Sequence, residues 1–560
     1  MDPVHADLLT ESVEEAMSFV PRAARGDWIE TIARGYEAAK RAGEAGPGRR
    51  STGSWYTPDE VVAHVLGDAG IASATARRAS ATARRASVAD PACGTGHFLV
   101  AAGDRMRDRA HAGAALAARL HGMDLDPMAV AIARARLRAR FGGAASAWAR
   151  SVRCGDSLAA GAWARTFDAV VGNPPFLGQL SASTARGAAQ NDALRARFDG
   201  VVRRYADAAS AFLLLGCELA PRGAVAMVLP VPALSAGDSR PVRIECARRR
   251  GLRSVRFLPD TAFGAAVRTC VVALGARTRT VRVLGSSGSE TPMPNAALAG
   301  GAWGASLAAV REVPRPGIDN ASGTLNAWMT ATADFRQHYY ALEGLVRERR
   351  RGAVPSMREP ALVTVGAIDA ASLGWGERPV KIHGRSFAAP VVRADELATH
   401  PVLGAWHRAR GVPKVLVATQ TRVLEAWVDA DARTLPSTPV ITVVPRKGAD
   451  LWRVGAALLA PPVAAEAWWR HAGAGMSTRA IRVSASQLRA MPAPGDRRAW
   501  DRGARALRDW QRSPERSAVR DRFADAMCDA YGVPSGSERA RLVRWWIEGL
   551  GNVRTAGGFC

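Results

Sequence analysis

Lysine is nearly absent from this 560-residue chain: Lys40, Lys381, Lys414 and Lys447 stand beside arginines that bring the basic total to 76. Against 51 acidic residues the balance is +25, the sign expected of a protein that meets a polyanion. Arginine excess in a chain rich in Ala, Gly and Val also fits a GC-rich genome, so charge alone leaves nucleic acid open. Cysteine is scarce too: seven residues, none in a CxxC pair and none in a His/Cys cluster with ligand spacing, so neither a disulfide framework nor a zinc site is indicated. That usage fits a reducing cytoplasm. No 18 apolar residues run together, and the opening MDPVHADLLTESVEEAM has acids rather than a basic-then-apolar signal. The expectation is a soluble, cytoplasmic protein with no membrane partner.

The length predicts several domains. Residues 4–42 show helical spacing through Leu8, Leu9, Val13, Met17, Trp28, Ile29, Ile32 and Tyr36, until GEAGPGRR breaks the pattern. We assign 1–50 as a helical preface. The heptapeptide ATARRAS occurs twice in tandem at 74–87, too few copies for a solenoid and better read as a duplication in an exposed loop. Over 51–285, the short apolar runs SVAD, LHGMD, SVRCGD, FDAVVGN, GAVAMVLP, LRSVRFLP and RTCVVALGA alternate with helical stretches. Such alternation predicts an α/β fold, a mostly parallel, Rossmann-like sheet covered on both faces. Over 286–495 the texture turns to Pro, Gly and β-rich pieces such as KVLVAT and STPVITVVP, a second, α+β domain. The Arg- and Trp-rich stretch 496–560 reads as a terminal helical element.

The chemistry-bearing motifs lie where strands end. Asp90-Pro91-Ala92-Cys93-Gly94-Thr95-Gly96 follows a strand and opens a helix with Phe98 and Leu99, so its glycines let backbone approach a ligand at a helix N-terminus. It lacks the third glycine of GxGxxG, which separates it from nicotinamide enzymes. In HGMDLDP, Asp124 ends the next strand, where a carboxylate can accept from both hydroxyls of a ribose; Asp126, two residues on, faces elsewhere. In SVRCGDSL, Asp156 sits just past a third strand and could accept from the amino group of an adenine ring. Either acid alone reads as a helix cap or surface charge; their repetition at successive strand ends points to a ligand.

FDAVVGNPPF is the most specific feature. Asn-Pro-Pro cannot continue a strand, so the chain breaks at Asn173 with an amide, a proline carbonyl and the Phe176 ring at the sheet's carboxyl edge. That set suits a base flipped out of a duplex. The exocyclic amine of adenine is a poor nucleophile because its lone pair is delocalised into the ring. Accepting both N–H bonds, at the Asn173 oxygen and the Pro174 carbonyl, favours a tetrahedral nitrogen whose lone pair can attack a methyl sulfonium. Phe176 would stack on the base and offset an unstacking cost of about a few kcal/mol. The plain alternative is a proline turn after a buried strand.

With these residues assembled, the chain resembles the gamma-class adenine-N6 DNA methyltransferases of restriction-modification and related phage-defence systems. The resemblance covers about 51–275 closely and extends more loosely to 495. It implies S-adenosylmethionine as cofactor and double-stranded DNA as partner. The implied cofactor residues are Asp90, Pro91, Ala92, Cys93, Gly94, Gly96 and Phe98 around the methionine part, Asp124 and Leu125 at the ribose, Asp156 and Ser157 at the adenine, and Tyr56 and Thr57 in a "YTP" element. The implied catalytic residues are Asn173, Pro174, Pro175 and Phe176. No metal is implied. The motif order places target recognition at 286–495, to which KVLVATQTRVLEAWVD and SASQLRAMPAP are similar. His97 departs from the family, which often has Gly or Ser there, and 97–123 is somewhat long.

Glutamine methyltransferases acting on proteins and some RNA guanine methyltransferases share Asn-Pro-Pro with an aromatic; they generally lack both the YTP element and a long C-terminal region, so DNA is favoured. A third reading, a DNA-binding specificity subunit with a dead catalytic domain, is opposed by the intact Asp90, Asp124, Asp156 and NPPF. The 50-residue preface holds no PD…(D/E)xK nuclease pattern, so cleavage would come from a separate restriction endonuclease or other defence-system protein. Trp375, Lys381, Arg385, Lys414 and Arg422 could contact phosphate or bases, but each taken singly reads better as an ordinary surface or packing residue, and none is assigned to a site.

Overall fold

The computed structural model describes residues 3–43, 57–71, 86–106, 113–176, 188–203, 206–263, 268–318, 321–334, 336–349, 354–473, 479–513 and 517–550. Tyr56 and nearly all of the ATARRAS repeat lie outside them. The chain divides into two compact units, Met1–Val310 and Arg311–Cys560. The division falls beyond residue 285 for a structural reason: the strand Glu290–Pro294 still belongs to the first unit's sheet. No described helix is long and apolar enough to cross a membrane.

The first unit is built on a nine-stranded sheet in the order β3-β2-β1-β4-β5-β7-β6-β8-β9. Its strands are β1 (Val88–Asp90), β2 (Leu120–Asp124), β3 (Val152–Cys154), β4 (Ala169–Gly172), β5 (Ala224–Pro230), β6 (Gly251–Phe257), β7 (Thr269–Gly275), β8 (Thr280–Leu284) and β9 (Glu290–Pro294). All seven runs read from the sequence form strands. From β3 to β5 every pairing is parallel, while β7 runs antiparallel between β5 and β6. Strand order reverses beside β1, whose neighbours are β2 on one side and β4 on the other. A crevice at such a switch point, at the carboxyl ends of the strands, is where open α/β sheets bind ligands. The loop after β1, the turn after β2 and NPPF after β4 all open there.

The helices that matter to the site are α1 (Pro3–Ser18), α2 (Arg25–Gly43), α3 (Asp59–Asp68), α4 (His97–Met106) and α5 (Pro127–Phe141). Helix α5 has no clean polar stripe: every residue from Ala129 to Leu137 is buried, Arg134 and Arg136 included. The preface supplies the reason. Met17 of α1 and Ile29 and Ala33 of α2 form one apolar cluster with Ile132 and Ala135 of α5. Arg134 pairs with Asp7 at 2.6 Å and Arg136 with Glu30 at 2.7 Å. Buried guanidiniums are tolerated only when paired and hydrogen-bonded in this way. Helices α1 and α2 are therefore one wall of the first unit.

The second unit contains two four-stranded sheets. One joins Met329–Ala333, Ile441–Pro445, Lys414–Val417 and Ala426–Asp429 in that order, all antiparallel. The helical tail forms as its spacing predicts: over Arg497–Arg512, Ala499, Trp500, Gly503, Ala504, Leu507 and Trp510 turn inward. Gly503 lets the next helix come close, since a Cβ there would lie 2.2 Å from Met527 Sδ. Trp510, Phe523 and Trp546 close the core, with ring centroids 5.5 to 6.0 Å apart.

Candidate active site

The loop after β1 is shaped by its own chemistry. Asp90 Oδ1 accepts from Ala92 N at 3.0 Å, and Gly94 and Gly96 take φ of +51° and +83°, the left-handed region open to glycine. At Gly96 a Cβ would also stand 3.0 Å from Ala133 of α5. Asp124 clamps the far side of the loop: its Oδ2 accepts from Gly94 N at 2.8 Å and its Oδ1 from Asp126 N at 3.0 Å. Leu125 follows with 54% of its surface exposed, an apolar face at the crevice edge. Phe98, at 4%, lies in the core and supports the loop from beneath, and Cys93 is likewise buried.

Asp90 is fully buried, and its Oδ2 has no hydrogen-bond partner among the described residues. Burial pushes its carboxyl up to about 8; the Ala92 N–H opposes that shift and neighbouring Asp124 adds to it. Burial likewise raises Asp124. Two carboxyls driven up together form a site short of positive charge. Asp156 stands exposed past β3, its Oδ1 held by Leu158 N at 2.9 Å, while Ser157 Oγ is buried without a described partner. Orphaned acceptors, a glycine loop and a strand-end carboxylate at one sheet edge fit S-adenosylmethionine, which carries a sulfonium, an ammonium, a ribose and an adenine.

Strand β4 delivers the second half of the site. Gly172, its last residue, lies against Asp90: a Cβ there would come within 2.7 Å of Asp90 Oδ1. The next residue, Asn173, is half-buried, and its Nδ2 donates to Thr57 Oγ1 at 3.0 Å. Thr57 is itself buried, just before α3. Sequence reasoning placed Thr57 by the cofactor; its observed contact is with the catalytic candidate. Pro174 is buried, Pro175 half-buried, and Phe176 packs partly against the sheet's core cluster. The unusual His97 also acquires a reason: its Nε2 lies 2.6 Å from Asp59 Oδ1, tying the cofactor loop to the first turn of α3.

The preface contributes residues that sequence reasoning missed. Tyr36 Oη and Lys40 Nζ donate to Asp126 Oδ2 at 2.5 and 2.6 Å, and Glu37 accepts from the Thr95 hydroxyl. Asp126 also caps α5, accepting from Met128 N and Ala129 N. Burial alone would raise the Asp126 carboxyl, but the bonds from Lys40 and Tyr36 outweigh it and hold it below the usual carboxylate range. Tyr36 is raised in turn by burial and by that same bond. The available signal was Lys40 itself, a rare lysine one helical turn after Tyr36. Of the possible contacts in the second unit, Lys414 is fully buried and excluded, and Trp375 gives its indole N–H to Pro390 O at 2.9 Å. Arg422 bonds Glu548 O at 3.3 Å, while Lys381 and Arg385 are exposed.

Comparison with known proteins accords with this geometry. No curated protein matches the sequence. Among solved structures, the type IIL restriction-modification enzyme MmeI in complex with DNA is similar in fold, with a TM-score of 0.51 at 11% identity over 90% of this chain and 79% of that one. A modification subunit of a putative type I restriction enzyme from Vibrio vulnificus YJ016 matches at 20% identity and a TM-score of 0.35. That match covers 46% of this chain and about half, 52%, of the subunit. The type IIG restriction endonuclease BpuSI matches at 12% identity and a TM-score of 0.38, over 89% and 67% of the two chains. The N-6 DNA methylase family model matches residues 36–286, a span that runs from Tyr36 through β8 and takes in the cofactor loop, Asp124 and NPPF. Residues 36–286, which hold the cofactor loop, Asp124 and NPPF, are thus similar to the N-6 DNA methylases, enzymes whose methyl donor is S-adenosylmethionine.

Proposed function

We propose that this chain methylates N6 of an adenine flipped out of duplex DNA at one defined sequence, that residues 311–550 supply target recognition, and that it serves a restriction-modification or phage-defence system. A separate restriction endonuclease or other defence protein would act on unmodified DNA. The observation that carries the reading is the Asn173–Thr57 bond beside Asp90. With Nδ2 committed to Thr57, the acceptor end of the amide is fixed as Oδ1. Asn173 Oδ1 and the Pro174 carbonyl then accept the two N–H bonds of the adenine amine and draw its nitrogen toward tetrahedral geometry, the arrangement in which its lone pair becomes a nucleophile. Phe176 offers its ring to the face of the base. When bound, S-adenosylmethionine supplies an electrophilic methyl on sulfur; Asp124 would hold its ribose and Asp90 would face its positive charge. Binding the two substrates on neighbouring strand ends brings nitrogen and methyl together.

Long-read modification sequencing of DNA from cells expressing the chain tests this. N6-methyladenine at a single motif, lost in Asn173→Ala while purified Asn173→Ala still binds cofactor, is the expected result. Methyl transfer to RNA or to a protein amide, with no modified adenine in DNA, overturns the substrate assignment.

A further inference from the structure

Helix α2 touches the cofactor crevice from two directions. On one side Glu37 accepts from Thr95, inside the loop after β1, and Arg136 holds the same residue by donating to its carbonyl at 2.9 Å. Glu30, one heptad before Glu37, accepts from Arg136 at 2.7 and 2.9 Å. On the other side Tyr36 and Lys40 bind Asp126, whose N–H holds Asp124 Oδ1; Asp124 Oδ2 in turn holds Gly94 N. The two chains of contacts meet in the Gly94-Thr95 backbone. One helix therefore braces both the loop that would surround the methionine part and the carboxylate that would hold the ribose. Its apolar support comes from Ile29 and Ala33, buried with Met17, and from the partly buried Trp28 and Tyr36, while Ile32 on the same helix is exposed. The polar bonds add to that apolar seat and reach past it to the crevice, and a change at one end of such a network is felt at the other.

We propose that α2 is a latch of the cofactor site, with Glu37, Tyr36 and Lys40 as positioning residues, so that seating of α2 and binding of S-adenosylmethionine are one coupled event. This rests on the cofactor-site reading above. The coupling is reciprocal: what holds α2 down must tighten cofactor binding, and cofactor must hold α2 down by the same factor. None of the three touches a reacting atom, so their removal acts on affinity before it acts on the methyl-transfer step.

The test uses the full chain with S-adenosylhomocysteine as the probe ligand. Titration calorimetry is expected to show Glu37→Ala and Lys40→Met weakening binding about tenfold or more, with Glu37→Gln, which still accepts from Thr95, close to wild type. Hydrogen exchange of the wild-type amides over 25–43 is expected to slow at least several-fold when ligand is added; this measurement needs no variant and stands even if a substitution unfolds the chain. Variants that fold and bind as wild type does, or wild-type exchange over 25–43 that ligand leaves unchanged, overturn the latch. A wild-type protein that binds no S-adenosylhomocysteine overturns the cofactor site itself, and the latch with it.

Discussion

The amide of Asn173 is held at 3.0 Å by the hydroxyl of Thr57, a residue 116 positions earlier in the chain. Thr57→Val keeps the side-chain volume and removes the acceptor that orients the amide nitrogen away from the substrate. The expected loss is about 10- to 100-fold in kcat, the range corresponding to about 1–3 kcal/mol for an unmade buried hydrogen bond. Thr57→Ser should restore the rate, and cofactor affinity should move by less than about threefold. Steady-state kinetics with duplex DNA give the answer. A cofactor Kd raised tenfold with kcat intact would assign Thr57 to the cofactor instead.

Asp90 makes a pH prediction whose sign follows from burial. Its folded carboxyl is pushed up to about 8 from an ordinary 3.8. The folded state therefore binds a proton that the unfolded chain has released: the stability present below pH 4 is lost progressively as pH rises toward 8. A cationic ligand beside Asp90 reverses the shift and expels that proton. Cofactor affinity should thus rise with pH from about 4 to 8 and level off above. Calorimetry at pH 7 in buffers of different ionisation enthalpy should show proton release. That release, and the part of the pH slope due to Asp90, should vanish in Asp90→Asn; an identical slope in the variant would sink the idea.

The strands and turns around the candidate site were legible because they are written in short, contiguous strings at strand ends. DPACGTG, the acid after β2 and NPPF each carry their own turn geometry, and the apolar runs between them are long enough to place the strands. What stayed hidden depends on distant pairing. MAVAIARARLRARF gives no usable periodicity because α1 and α2 cover what would otherwise be its wet side, turning Arg134 and Arg136 inward. Thr57 was visible as part of a motif, but its partner was not. The boundary at residue 285 missed β9 because Glu290–Pro294 has only Met293 buried and reads as loop.

Lys414 shows how composition misleads at the level of one residue. Its ammonium is fully buried, donating to Asp429 Oδ2 at 2.6 Å, Thr434 O at 2.7 Å and Val412 O at 3.3 Å, so all three protons have acceptors. Burial lowers its pKa and Asp429 pulls it back. Removing the cation leaves Asp429 charged in the interior, where its bonds to Arg433 N, Thr434 N and the Thr434 hydroxyl soften the penalty. Lys414→Met should cost about 3 kcal/mol, the lower end for a broken buried pair. Chemical denaturation should show it, with cofactor binding unchanged.

The hairpin Val380–Ile382 with Arg385–Phe387 is the sharpest test of target recognition. His383 and Gly384 both take positive φ, 48° and 75°, which gives a tight two-residue turn of the hand that suits twisted strands. Ile382 and Phe387 bury the inner face, and Tyr339 fixes the tip by accepting from His383 N at 2.9 Å and stacking at 4.2 Å. Lys381, Arg385 and Ser386 are left exposed, and among the described residues neither Lys381 nor Arg385 makes an ion pair. A stiff, basic two-stranded ribbon matches the width of the DNA major groove. Arg385→Ala should weaken binding to the cognate duplex by about 1–3 kcal/mol and relax preference at one base pair. Lys381→Ala should weaken all duplexes alike and lower the slope of log K against log salt by about 1. Both should leave cofactor binding untouched. Fluorescence anisotropy over a salt series decides it, and unchanged slopes with unchanged preference would remove the hairpin from the interface.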